Sequence, residues 1–149
     1  MINKYEDFTE FVMTSFRAIQ RIKSYGMKKL GLKAGDVNCI YYLSKNQEGL
    51  SNVQLAELSG DDKAAISRTL NQLVKNSYVE IAEEDEGKKY GRRYVLTEKG
   101  KEVADKINSR VDSVVNEVGK DINKKEGRIF YETFHEISGR LERLSEEYK

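Results

Sequence analysis

Proline and tryptophan are absent from the 149 residues of this chain, and cysteine and histidine occur once each. The lack of proline removes the strongest helix breaker, so long uninterrupted helices are predicted. A single cysteine cannot close an intramolecular disulfide, and Cys39 with His135 cannot complete a tetrahedral zinc site without carboxylates. Cys39 stands in an apolar segment without a nearby histidine, so we predict a buried structural thiol. We predict His135 on a helix surface or interface, and no metal.

Charge of either sign is not in excess, because 26 Lys and Arg residues against 25 Asp and Glu leave a net charge of +1. Global charge therefore indicates no particular partner. No apolar run is long enough for a membrane span, and the N-terminus lacks the basic-then-apolar order of a signal peptide. Known catalytic motifs are also missing, including the nucleophile elbow, the zinc-protease helix and the phosphate loop. We predict a cytoplasmic, non-enzymatic protein without a membrane partner or a cofactor, folded as a single domain.

Apolar residues at helical spacing mark both ends of the chain. The first stripe comprises Tyr5, Phe8, Phe11, Val12, Phe16, Ile19 and Ile22. Towards the C-terminus, apolar seams run from Ile107 to Val118 and from Phe130 to Tyr148. Each seam is compatible with an ordinary bundle face, but isolated rods would expose it to water. We therefore predict a homodimer, with the following dimerisation residues: Phe8, Val12, Phe130, Phe134, Ile137, Leu141 and Leu144.

The middle of the chain has the pattern of a helix-turn-helix. Residues 37–43 are apolar almost all round, as in a helix that lies between two layers. Ser51 is a good cap for a short helix, and Gly60 introduces a turn before a second helix over about residues 62–76. The outer side of that second helix carries polar residues, among them Lys63, Ser67, Arg68 and Asn71.

A hairpin is predicted after these two helices. Residues 78–82 and 94–97 have strand character, and the segment between them contains Gly87 and Gly91. Thr97 is suited to cap the helix that follows. The hairpin tip carries four cations, Lys88, Lys89, Arg92 and Arg93.

A helix-turn-helix followed by a basic hairpin is typical of proteins that insert one helix into the major groove of DNA while the hairpin reaches a neighbouring groove or the backbone. Arg68 is suited to read a guanine, Asn71 an adenine, and Ser67 a base or a phosphate. The four hairpin cations are candidates for phosphate contacts or for a narrow minor groove.

Three segments of the chain, residues 50–57, 62–73 and 94–100, resemble the MarR family of winged-helix transcriptional regulators. The matching features are the Asp62-Lys63 start, the Ser67-Arg68 pair and the Leu-Thr-x-x-Gly stretch that ends at Gly100. The resemblance implies a base or backbone contact from around Ala64.

Two departures from the family pattern affect the loops. Where members often carry an Asp-Arg pair at the wing, this chain has Lys88-Lys89. Where many members have glycine after the recognition helix, it has Asn76-Ser77. We predict that Asn76 adopts the left-handed conformation there.

The resemblance implies a mainly α fold with a small β-hairpin wing, in which residues of about 1–30 and 98–149 form dimerisation helices and about 35–97 form the DNA-binding lobe. It further implies a homodimeric repressor that binds a pseudo-palindromic operator in double-stranded DNA and is released by a small molecule. Candidates for a pocket that takes an aromatic ligand are Phe16, Ile19, Cys39, Tyr41 and Tyr42, although core packing explains the same residues. The alternative is a winged-helix module that binds protein, in keeping with the low net charge and the acidic run at residues 83–86.

Overall fold

The computed structural model describes residues 5–148, with the side chain of Tyr5, one member of the first apolar stripe, outside the described part. The helices and strands follow in the order α1 (Tyr5–Ser24), α2 (Ala34–Ser44), β1 (Leu50–Ser51), α3 (Asn52–Ser59), α4 (Lys63–Lys75), β2 (Val79–Ile81), β3 (Arg93–Leu96), α5 (Glu98–Gly119) and α6 (Lys124–Ser145). Short 3-10 helices occur at Met27–Leu30, Glu83–Asp85 and Glu146–Tyr148. The prediction of a mainly α fold with a small β wing is confirmed.

The described residues form two compact units, one that ends at Asp112 and one that begins at Ser113. The first unit holds α1 to α4, the three strands and the larger part of α5. The second holds the end of α5, the whole of α6 and the last 3-10 helix.

Helix α2 lies at the centre of the core of the first unit. Val37, Cys39 and Ile40 are buried, and α2 contacts α1, α3, α4 and β3. Burial of one such aliphatic side chain contributes about 1.5–3 kcal/mol, so this helix is a principal source of stability. Around it pack Leu55, Ile66, Leu70, Leu73, Val79 and Ile107. The predicted sandwiching of α2 between layers is confirmed.

Side-chain caps set the start of both helices of the helix-turn-helix. Ser51 Oγ accepts from the backbone N–H of Gln54 at 3.3 Å, and the Gln54 side chain accepts from the backbone N–H of Ser51 at 2.9 Å. Asp62 Oδ1 accepts from the backbone N–H of Ala65 at 2.8 Å at the start of α4. Gly60 takes a φ of 72° and ends α3. The turn between α3 and α4 therefore follows from local sequence.

The sheet has the strand order β1-β3-β2, and both pairings are antiparallel. Leu50 pairs with Tyr94, and Val79 pairs with Leu96. Strands β2 and β3 lie where the sequence predicted them. Strand β1 was not predicted, because two residues are too few to show the alternation of a strand.

The prediction that Asn76 is left-handed is wrong. Asn76 has a φ of −91°, and the left-handed residue is Ser77 with a φ of 59°. Helical hydrogen bonding still includes Asn76, because its N–H donates to the carbonyl of Gln72 at 3.0 Å. The N–H of Tyr78 then donates to Leu73 O at 2.9 Å, which closes the helix end one residue later.

The start of α5 packs directly on the chain that leaves α4. Thr97 Oγ1 accepts from the N–H of Gly100 at 3.1 Å and donates to Ser77 O at 2.7 Å, which confirms Thr97 as the cap. A Cβ atom at Gly100 would lie 2.0 Å from Tyr78 O. The approach of α5 to Tyr78 therefore requires glycine at this position.

We expect Gly100→Ala to lower the free energy of unfolding by on the order of 1–3 kcal/mol, because the added methyl group displaces the backbone of Tyr78 or the first turn of α5. Gly119→Ala is the matched control at the last residue of the same helix, where an added Cβ meets no heavy atom within 4 Å. Urea denaturation measures both, and equal loss of stability in the two variants would contradict this account.

Candidate nucleic-acid interface

Helix α4 has one face in the core and one face in solvent. Ile66, Leu70 and Leu73 are buried, which fixes the orientation of the helix about its axis. The opposite face exposes every α4 residue that the sequence indicated for DNA contact, namely Lys63, Ala64, Ser67, Arg68 and Asn71. The structure thus brings these side chains together in one row.

A cleft beside α4 adds a cation that sequence reasoning missed. Its volume is about 370 Å³, and Arg68 and Gln72 of α4 line it together with Lys33 and Asp36 from the start of α2. Asp36 Oδ2 accepts from the backbone N–H of Lys33 at 2.8 Å and so caps α2. Lys33 is exposed next to Arg68 because α2 packs on α4, a neighbourhood that no local pattern reveals.

The hairpin between β2 and β3, which we call the wing, is held together by a buried carboxylate. The side chain of Asp85 is 1% exposed. It accepts from the backbone N–H of Arg93 at 2.8 Å and from Arg93 Nε at 3.1 Å, and it forms an ion pair with Lys88. The hydrogen bond from Lys88 and those from Arg93 hold the pKa of Asp85 well below its usual range.

All three side-chain nitrogens of Arg93 have a partner within the first unit. Besides Asp85, its guanidinium pairs with Glu84 and donates to the carbonyl of Glu48 at 3.3 Å. The two carboxylates raise the pKa of Arg93. Its side chain therefore connects the wing to the residues before β1.

The four predicted wing cations therefore differ in their surroundings. Lys88 and Arg93 pair with Asp85, and Arg92 Nε donates to the carbonyl of Lys88. Lys89 is exposed and makes no hydrogen bond or ion pair within residues 5–148. The wing presents Lys89 and the exposed part of Lys88 most freely to solvent.

Lys23 occupies a buried position between α1 and α2. Its side-chain amine donates to Asn38 Oδ1 at 2.8 Å and lies 4.8 Å and 5.6 Å from the ring centroids of Tyr41 and Tyr42. The residue is 4% exposed, and this burial lowers the pKa of Lys23. Sequence reasoning named the two tyrosines but missed Lys23, because a lysine on an amphipathic helix is normally read as a solvent-facing residue.

The other three residues predicted for a ligand pocket differ from one another in burial. Cys39 is buried in the core, and burial, with smaller contributions from Asp36 and Asp61, raises the pKa of its thiol to about 12. Such a thiol stays protonated at neutral pH. Phe16 and Ile19 are exposed on α1.

Polar atoms without partners accompany Lys23 on α1. Gln20 Oε1 and Ser24 Oγ are buried without a hydrogen-bond partner within the described part of the chain. Gln20 lies three residues before Lys23 and four residues before Ser24. Gln20 Oε1 and Ser24 Oγ therefore lie on one face of the helix. This face has unused hydrogen-bonding capacity beside a buried cation.

Apolar side chains are exposed along α1 and, separately, along the second unit. On α1 the exposed residues are Phe11, Val12, Met13, Phe16 and Ile19. Among the described residues of α6 none is buried. Of the predicted dimerisation residues in α6, Ile137 is half-buried, and four are exposed: Phe130, Phe134, Leu141 and Leu144. The rings of Phe130 and Phe134 stack with their centroids 5.7 Å apart. In α1, the predicted dimerisation residue Phe8 is half-buried.

Within residues 5–148, no cluster of three or more His, Cys, Asp or Glu side chains is arranged to hold a metal ion. Among the helices of the same residues, none has the length and apolar character needed to cross a membrane.

The depressed pKa of Asp85 predicts a pH-dependent contribution to stability. The contribution is complete above the unfolded-state pKa of about 3.9 and is lost as the pH falls through the lower folded-state pKa. We expect Asp85→Asn to lower Tm at pH 7, and the difference from wild type to shrink below about pH 4. Glu102→Gln, at an exposed carboxylate of α5, is the control. If Asp85→Asn has the same Tm as wild type at pH 7, the stabilising role of this carboxylate is contradicted.

Comparison with protein-family sequence models finds no match to this chain, and comparison with curated proteins also finds none. Solved structures do match. A MarR protein from Peptoclostridium difficile is 22% identical, with 100% of this chain and 97% of that chain covered and a TM-score of 0.80. A MepR–DNA complex from S. aureus is 15% identical, with coverage of 93% and 99% and a TM-score of 0.74.

A third structure, Staphylococcus aureus MarR in complex with salicylate and kanamycin, is 17% identical, with coverage of 93% of this chain and 92% of that chain and a TM-score of 0.75. In all three cases the likeness extends over nearly the whole of both chains. The protein therefore has the winged helix-turn-helix fold of the MarR-family transcriptional regulators.

Proposed function

We propose that this protein is a sequence-specific transcriptional regulator of the MarR family that binds double-stranded DNA. The observation that carries the proposal is the exposed polar row on α4, where Lys63, Ser67, Arg68 and Asn71 project from a helix whose opposite face is fixed in the core. A rigid helix with short polar side chains and one guanidinium fits the major groove.

Each side chain of the row has a distinct role in the proposal. Arg68 donates two hydrogen bonds to a guanine, and Asn71 pairs with an adenine. Ser67 contacts a base or a phosphate, and the small side chain of Ala64 lets the helix approach the bases closely. Lys63 binds phosphate and thereby sets the position of the helix.

Lys33 is a further phosphate contact in this proposal, since it lines the same cleft as Arg68. In the wing, Lys88, Lys89 and Arg92 contact phosphates of the flanking DNA. Arg93, predicted as a fourth wing contact, also shapes the wing in this proposal through its bonds to Asp85 and Glu84.

We further propose that the protein works as a homodimer. Exposed apolar rows on α1 and α6 support this, because contiguous apolar surface on a folded protein marks sites of protein association. A second copy of the chain would cover both rows and present two α4 helices to the two halves of a pseudo-palindromic operator. Light scattering at micromolar concentration is expected to give twice the mass of the chain, and a monomeric mass would contradict the dimer.

A protein-binding module is the second candidate function. The observation that favours it is a cavity of about 670 Å³ beside the wing, lined by three carboxylates, Glu80, Glu83 and Glu86, against one cation, Arg92. Such a surface repels phosphates, whereas it suits a basic segment of another protein.

Selection of duplexes from a random DNA pool at about 150 mM salt tests the main proposal, because non-specific binding is weakened at that salt concentration. We expect enrichment of an inverted repeat whose half-sites lie about 34 Å apart, one turn of DNA. Absence of enrichment by folded, dimeric protein would favour the protein-binding module.

On the selected duplex, Arg68→Ala is expected to cost about 1–3 kcal/mol of binding free energy and to blur the preference at one position of each half-site. Arg92→Ala is expected to weaken binding to all sequences and to reduce the slope of log affinity against log salt by about 1. Arg21→Ala, at an exposed arginine of α1, is the control for loss of charge. Equal affinity of Arg68→Ala and the control would remove α4 from the interface.

We also propose that an aromatic carboxylate binds at Lys23 and releases the protein from DNA, which makes the regulator a ligand-controlled repressor. Lys23 supplies the positive charge, Tyr41 and Tyr42 supply aromatic surface, and Gln20 and Ser24 have unused polar atoms on the same face of α1. The Coulombic attraction between this amine and an anion is stronger at a buried position than in water, and the aromatic ring of the ligand loses water when it packs on the two tyrosines. The salicylate in the structure of S. aureus MarR agrees with this class of ligand.

Sodium salicylate is the probe for this site. We expect millimolar salicylate to weaken binding of wild-type protein to the selected duplex at least tenfold, and to leave the affinity of Lys23→Met unchanged. Lys29→Met, which removes an exposed lysine from the 3-10 helix after α1, is expected to respond as wild type does. A full response of Lys23→Met would exclude Lys23 from the site.

A further inference from the structure

The wing is held in one conformation by contacts at its base. Asp85 bonds to the backbone and side chain of Arg93, which joins the start of the hairpin loop to β3. The base of the hairpin also packs on the end of α4, because β2 contacts that helix and Val74 shares a cavity with Arg92. The base of the wing is therefore fixed against the end of the helix to which we assign base contacts.

Two residues at the tip are left for an external partner. Lys89 and Tyr90 stand between Gly87, with a φ of 80°, and Gly91, with a φ of 68°. Tyr90 is 89% exposed, and its side chain makes no hydrogen bond or ring contact with any residue from 5 to 148. The neighbouring cations Lys88, Arg92 and Arg93 all bond within the wing. An unpartnered aromatic ring and an unpartnered ammonium group thus lie side by side.

The chemistry of this pair fits the groove of a nucleic acid. An aromatic ring covers the apolar faces of deoxyribose and bases, and it does so without a strict sequence preference. The adjacent ammonium group neutralises a phosphate and supplies no such apolar surface. The ring of Tyr90 is therefore suited to contact a sugar or base, and the ammonium group of Lys89 is suited to contact a phosphate.

We propose that Tyr90 is a DNA-contacting residue of the wing, whose ring packs in the groove next to the one that α4 occupies, while Lys89 binds the adjacent phosphate. This inference rests on the proposed function, since it assigns one further contact to the same interface. It differs from the sequence-based prediction, which assigned the wing contacts to cations alone.

The test compares Tyr90→Ala, Tyr90→Phe and Lys89→Ala on the selected duplex over a range of salt concentrations. We expect Tyr90→Ala to weaken binding about five- to hundredfold with an unchanged salt slope, because a stacking contact releases no counterions. Tyr90→Phe keeps the ring and is expected to stay within about twofold of wild type. Lys89→Ala is expected to reduce the salt slope by about 0.9.

A fluorescence measurement gives an independent readout. The chain contains no tryptophan, so Tyr90→Trp introduces a single reporter at the wing tip. We expect bound duplex to protect this tryptophan from acrylamide quenching. Tyr148→Trp is the matched control, since Tyr148 is 88% exposed but belongs to the second unit, and its quenching is expected to be unchanged by DNA.

The outcomes separate this inference from the proposed function. If wild type binds the duplex, Arg68→Ala weakens binding and Tyr90→Ala does not, the role of Tyr90 is overturned and the regulator proposal stands. If wild type binds no duplex, both are overturned. A thermal melt of Tyr90→Ala checks that this variant is folded. If Tyr90→Ala is unfolded, acrylamide quenching of Tyr90→Trp decides whether Tyr90 contacts DNA.

Discussion

The structure depends first on the burial of α2. Because Val37, Cys39 and Ile40 are buried on different sides of the same helix, α1, α3, α4 and β3 can all pack against it. The orientation of α4 follows from this packing, since Ile66, Leu70 and Leu73 must face the core. The polar row that we assign to DNA is therefore the consequence of an apolar constraint on the other side of the helix.

The net charge of this protein is only +1, so its electrostatics depends on where the individual charged side chains lie. Cations in the wing divide between those that hold the fold and those that face solvent. Asp85 engages Arg93 and Lys88, and this leaves Lys89 and Tyr90 as the exposed tip residues whose side chains have no partner within residues 5–148. Lys23 shows the reverse arrangement, with a cation buried beside an amide and two aromatic rings. In both places the function of a charge follows from the groups around it.

The helix that we propose for DNA contact and the ligand site that we propose at Lys23 belong to the same compact unit. Lys23, Tyr41 and Tyr42 lie where α1 meets α2, and α2 in turn packs on α4. A ligand that displaced the Lys23 amine from Asn38 would act on α2, the helix that supports the polar row. Such a coupling needs no long pathway, because the core elements are in direct contact.

The sequence by itself determined the helix-turn-helix and its outward face. Ser51, Gly60 and Asp62 specify their turns through bonds within a few residues, and the apolar period of α4 leaves only one face for solvent. Tertiary structure alone decided which wing cations are internally paired, that Lys33 lies beside Arg68, that Lys23 is buried and that Ser77, not Asn76, is left-handed. The physical reason is that caps and periodicity act over one or two helical turns, whereas Lys33 reaches Arg68, and Lys23 reaches Asn38, only when the core forms. The wing pairs and the end of α4 join residues that are closer in sequence, but they depend on loop conformations that no periodic pattern specifies.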